Sequence, residues 1–84
     1  MYFISFSRRA EIQIKKLDKL IQERILSVLE RIKIRPFSYD IKKLQGTSYY
    51  RMRVGEYRVI LDIKQDELVI IVIEIGHRKN VYKE

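Results

Sequence analysis

Three arginines lie close together in the middle of the 84-residue sequence, Arg51, Arg53 and Arg58, on either side of Gly55-Glu56. The flanking runs, Ser48 to Val54 and Tyr57 to Lys64, alternate with the period of a strand. A glycine at the first of two central positions suits a type II′ hairpin turn. Such a turn fixes the register and pairs Val54 with Tyr57, Met52 with Val59 and Tyr50 with Leu61 on one face. The same register sets Arg53 directly opposite Arg58, with Arg51 two residues along. Like charges so opposed destabilise a sheet by about 0.2–1 kcal/mol, and a strand with a purely structural task is free to carry Thr or Glu there. Guanidinium groups on one face bind phosphate through charge-assisted, often bidentate hydrogen bonds, so phosphate recognition is the chemistry this pattern points to.

The next segment supplies the surroundings. Leu68 to Ile75 is apolar at every position except Glu74, as expected of a central strand covered on both faces. A second two-residue turn at Gln65-Asp66 pairs Ile63 with Leu68, Leu61 with Ile70 and Val59 with Val72. That register lays Ile73 beside Arg58 and Ile71 beside Ile60, an apolar floor next to the cations, where each charge-assisted contact is stronger than in water. Gly76-His77-Arg78 is then expected to bring one more cation and the only imidazole to that floor, with Tyr82 within one helical turn of Arg78. Lys42 and Lys43 add a basic patch suited to nucleic-acid backbone.

The elements that must position these residues are legible upstream. Tyr2 to Phe6 reads as a first strand, and Ser7 stands where a helix N-cap belongs. Ala10, Ile14 and Leu17 begin a helical stripe that continues through Leu20/Ile21, Ile25, Val28/Leu29 and Ile32. Asp18 can cap a second helix, so the spacing predicts a hairpin broken near Leu17–Lys19 and ended by Pro36. From Phe37 to Thr47 the pattern dissolves into a polar connection. The order β-α-α-β-β-β is α+β: a single domain, 1–84, with a helical hairpin packed on one face of a mainly antiparallel four-stranded sheet. Ile12, Leu26 and Ile34 fall off the helical stripe and are expected at the surface, where they can receive an amphipathic partner helix.

Composition narrows the function classes. Lys+Arg number 18 against 11 Asp+Glu, a formal net charge of +7, which favours a polyanionic partner. Residues 1–39 hold nine of the basic and four of the acidic residues, so most of the excess lies on the helices; residues 42–58 are again basic, five to one. With no cysteine and one histidine, disulfide scaffolds, thiol catalysis and a metal site are excluded as expectations, and neither cofactor nor metal is anticipated. The absence of cysteine also points to a cytoplasmic setting. Met1 to Phe6 followed by Arg8-Arg9 reverses the basic-then-apolar order of a signal peptide. The longest apolar run, Leu68 to Ile73, is far short of the roughly 20 residues of a membrane helix, so no membrane contact is expected.

Taken together, Lys42-Lys43-Leu44-Gln45-Gly46, then Tyr50-Arg51-Met52-Arg53-Val54-Gly55-Glu56-Tyr57-Arg58-Val59, then Gly76-His77-Arg78-Lys79-Asn80-Val81-Tyr82 strongly resemble the RelE branch of the RelE/ParE toxin superfamily. The resemblance covers almost the whole chain. It implies a ribosome-dependent endoribonuclease that cuts mRNA in the A site and is neutralised by a cognate, RelB-like antitoxin. Carried over singly, Arg51 and Arg53 fall on the basic positions of the second strand, Arg58 on the arginine of the third, Arg78 on the arginine after the fourth and Tyr82 on the terminal tyrosine. The implied reaction is attack of a ribose 2′-hydroxyl on the adjacent phosphate, leaving a 2′,3′-cyclic phosphate and a 5′-hydroxyl. Arg58 and Arg78 would clamp the transition state. One departure matters: RelE relatives use lysines where this sequence has Arg51 and Arg53, and a guanidinium cannot be deprotonated in a protein. His77 is then the best remaining acid or base, and Tyr82 can stack on a base, orient the phosphate or share in proton transfer. Two alternatives share the fold or the charge. One is a ParE-like gyrase poison without nuclease activity, a branch lacking most of these side chains, and the other is a non-catalytic RNA-binding module.

Overall fold

A computed structural model describes residues 1–77. Strand β1 (Phe3–Phe6) leads into helices α1 (Arg8–Lys15) and α2 (Lys19–Ile34), followed by β2 (Ile41–Lys43), β3 (Tyr50–Val54), β4 (Tyr57–Lys64) and β5 (Val69–His77). The sheet order is β1-β5-β4-β3-β2, with β1 parallel to β5 and every other pair antiparallel. The α+β class and the helical hairpin match the expectation, but the sheet has five strands, not four. The extra one, β2, has three residues, two of them lysine, so it is too short and too polar to show an alternating pattern; it forms because β3 offers it an edge.

The first helix begins at its capping residue, and the second begins after Asp18 without the side-chain cap expected of it. Ser7 Oγ accepts the Ala10 amide at 3.0 Å, satisfying an otherwise orphaned donor of α1. At the break, the Leu17 carbonyl accepts from the Gln22 side chain at 2.9 Å, while Asp18 makes no side-chain cap. Ala10, Ile14, Ile25, Val28, Leu29 and Ile32 turn inward and pack on Met52, Val54, Val59, Leu61, Ile70, Val72 and Ile75 from one face of the sheet. Burying that apolar set is the main stabilising term of so small a domain, at roughly 25 cal/mol per Å². Ile12, Leu26 and Ile34 are exposed, as their helical spacing requires.

The two hairpins differ in how well their geometry follows from sequence. Gly55 takes φ 59, and the β3–β4 register is the expected one, Arg53 opposite Arg58 included. The β4–β5 register is not. Leu68 adopts φ 57 and closes a longer turn, so Ile63 pairs with Ile70 and Leu61 with Val72. Between Ile60 and Leu61 the ladder then slips once more, Ile60 pairing with Glu74, which leaves Ile73 as an extra residue on β5. Its carbonyl is taken by the Ser7 hydroxyl at 2.7 Å, and the Val72 carbonyl by the Ser7 amide at 2.9 Å. Beyond the bulge β1 has ended, and the Ile75 amide donates to Gln13 Oε1 of α1 at 2.6 Å in place of a strand partner.

Candidate functional site

The face of the sheet turned away from the helices carries two rows of side chains, each running across the strands. In the first, Arg53 opposes Arg58 and Arg58 opposes Gly76. The row extends past β3 to Asp40, just ahead of β2: the Arg53 amide donates to the Asp40 carbonyl at 3.1 Å, and Asp40 Oδ2 lies 3.8 Å from Arg53 Nε. Gly76 presents no side chain to Arg58. In the second row Lys42 opposes Arg51 and Arg51 opposes Ile60.

Arg51 is 7% exposed. A guanidinium removed from water to that extent is costly unless anionic or hydrogen-bonding groups compensate it, and its burial restricts it to few orientations. Beside it, Leu44 and Ile60, 1% and 2% exposed, form a small second core with Tyr49 and Ile73 against them. The apolar floor anticipated next to the arginines therefore exists in part, from Ile60 and Ile73, but it is roofed by the loop between β2 and β3. That loop is braced by Thr47, whose hydroxyl donates to the Leu44 carbonyl at 3.1 Å and accepts the Tyr49 amide at the same distance. Ile71 lies further along, opposite Asp62 rather than Ile60.

The remaining sequence candidates divide. Lys42 shares the face of Arg51, whereas Lys43 opposes Tyr50, which packs on the helix-side core. His77 does not come to the arginine floor. It opposes Tyr57, another residue packed on the helix-side core, with the rings 5.6 Å apart edge to face, and its Nε2 is 3.8 Å from Glu56 Oε1. The cause is the bulge: one extra residue at Ile73 exchanges the faces of everything that follows. Arg78 and Tyr82 lie outside the described residues. Sequence reasoning passed over Asp40, because the connection that holds it shows no periodicity; only the β2–β3 pairing places it opposite Arg53. Among the described residues no group of His, Cys, Asp or Glu side chains could hold a metal ion.

Fold and face together define a small α+β protein with a cationic sheet surface fit for phosphate. Over residues 4–82 the sequence matches the family described as ParE toxin of type II toxin-antitoxin system, parDE, and the chain belongs to that family. It is a RelE-like member. It is 31% identical over 84 residues to Toxin RelE3 of Methanocaldococcus jannaschii, an alignment spanning 94% of this chain and 93% of that protein. Among solved structures, it resembles the archaeal RelE-RelB complex of Pyrococcus horikoshii at a TM-score of 0.81 and 26% identity, covering 95% of this chain and 98% of the other. The RelB-RelE antitoxin-toxin complex of Methanococcus jannaschii gives 0.76 at 30% identity, covering 93% and 94%.

Proposed function

We propose that this toxin is an endoribonuclease that cleaves mRNA in the ribosomal A site by attack of a ribose 2′-hydroxyl on the adjacent phosphate. The observation that carries the reading is the directly opposed Arg53–Arg58 pair on one face of the sheet, with Arg51 buried two residues along β3. Two guanidinium groups carried on one face across a hairpin can bind a shared phosphate, and the gain grows as charge builds on the phosphorane-like transition state. Arg58 and Arg78 are assigned as transition-state clamps, Arg51 and Arg53 as phosphate-binding residues and Tyr82 as an orienting or stacking residue. Lys42 contacts RNA backbone from the edge strand. His77, placed on the opposite face, is not assigned to the phosphate.

The neutralising partner is a RelB-like antitoxin, as in the complexes its structural relatives form. The groove of about 350 Å³ between β1 and α2, lined by Ile4, Phe6, Leu26 and Leu29 among others, together with exposed Ile12 and Ile34, offers apolar surface for an amphipathic segment. The cytoplasm, where ribosomes and antitoxin meet, is the working compartment. Mapping mRNA 5′ ends on translating ribosomes tests the activity. Cuts inside A-site codons that disappear in Arg58→Ala and in Arg78→Ala are the expected result; gyrase-linked DNA breaks, or RNA binding without cuts, would overturn it.

A further inference from the structure

We infer that Asp40 is the general base that takes the 2′-hydroxyl proton. The inference rests on the nuclease reading above and supplies what that reading lacks, since Arg51, Arg53 and Arg58 cannot accept a proton. Among the described candidates of the sequence, His77 is directed to Tyr57 and Glu56 on the far side of the sheet. A carboxylate does lie in the arginine row. The hydrogen bond from the Arg53 amide to the Asp40 carbonyl fixes Asp40 opposite Arg53, and its Oδ2 is 3.8 Å from the Arg53 Nε. Both side chains are about half exposed, so a nucleotide can reach them.

Two other described carboxylates share this face, Glu74 opposite Ile60 in the second row and Asp62 opposite Ile71, and each is ion-paired to a cation outside the opposed arginine pair. Glu74 is 3.6 Å from Arg9 Nη2 and Asp62 is 3.5 Å from Lys64 Nζ, four residues along β4 from Arg58. With a phosphate oxygen held between Arg53 and Arg58, the ribose on the Arg53 side brings its 2′-hydroxyl to Asp40. The 2′-oxygen forms the bond to phosphorus as its proton passes to Asp40 Oδ2. The bond from phosphorus to the 5′-oxygen breaks, that oxygen takes a proton from water, and Asp40 later returns its proton to solvent. Atoms and charge balance without a metal or a co-reactant. Arg53 thereby serves twice, as a phosphate ligand and as the group that holds the base in line.

The test is single-turnover cleavage of ribosome-bound mRNA by wild type, Asp40→Asn, Asp40→His and Lys42→Ala. Asp40→Asn is nearly isosteric and is expected to bind ribosomes as wild type does while cleaving about 10²–10⁴-fold more slowly, the usual range for a general base. Asp40→His transplants a base that titrates near pH ~6.5, so part of the rate returns and acquires a pH dependence centred there. A mere tether for Arg53 would not produce that dependence. Asp40→Asn cleaving within about threefold of wild type, Asp40→His slow and flat with pH, or a rate lost in Lys42→Ala and kept in Asp40→Asn would each overturn the assignment. In all three outcomes wild type still cuts, so the nuclease reading survives; a wild type inert on ribosomes removes both.

Discussion

Arg53 shows how much of this protein is decided by single side chains. It faces a like charge across the hairpin, a loss of about 0.2–1 kcal/mol, and recovers part of it through the half-exposed contact with Asp40, which is worth about 0–1 kcal/mol at such a site. Both effects are small. Replacing Arg53 by Thr, a good strand residue, should therefore leave stability within about 1 kcal/mol of wild type in urea denaturation. Cleavage should fall by about 10²-fold or more, because a phosphate ligand and the anchor of Asp40 are lost together. A variant both stable and fully active would show that the arginine row is surface decoration. The Arg53–Arg58 opposition was legible in the sequence because a two-residue turn leaves no freedom of register. Asp40 was not, since its placement depends on a three-residue strand that only the finished sheet can hold.

At the scale of elements, the decisive feature is the β-bulge at Ile73, and α1 is what holds it. Ser7 joins three things: it caps α1 through Ala10, occupies the Ile73 carbonyl with its hydroxyl and the Val72 carbonyl with its amide. Removing the hydroxyl in Ser7→Ala takes away the cap, about 0.5–2 kcal/mol, and leaves a part-buried carbonyl without its donor, about 1 kcal/mol more. The expected loss is about 2 kcal/mol, read as a fall in urea midpoint. For a domain of this size each kcal/mol also lowers Tm by about 4–8 °C. The helical hairpin could be read from periodicity and the Ser7 cap, although Asp18 makes no side-chain cap at the break, and the first β-hairpin from its two-residue turn. The second β-hairpin could not: a leucine at φ 57 lengthens its turn against ordinary preference, and the bulge then inverts the faces. Together these move the residue opposite Arg58 from the anticipated Ile73 to Gly76. That change sets a residue without a side chain opposite the arginine and sends His77 to the other side.

Over the whole molecule, charge is divided between two surfaces with different tasks. The sheet face holds a local cluster, while α1 and the start of α2 present exposed Arg8, Lys15, Lys16 and Lys19 away from it. A net charge of +7 on a chain this short creates a field that extends about a Debye length, about 8 Å at physiological salt, and under the proposed function that field would steer encounter with a polyanion the size of a ribosome. Contacts at the site act only after docking, so the two contributions are separable by kinetics. In Lys15→Glu/Lys16→Glu the association rate with ribosomes should fall by about tenfold at low salt, and its dependence on salt should flatten, because steering is the part that ions screen. The single-turnover rate of the bound complex should stay unchanged. Arg58→Ala should do the reverse, sparing association and abolishing the cut. A stopped-flow salt series set beside quenched cleavage measures both quantities. Equal losses of association and chemistry in the double variant would mean that α1 belongs to the RNA site itself, and that the two basic surfaces act as one.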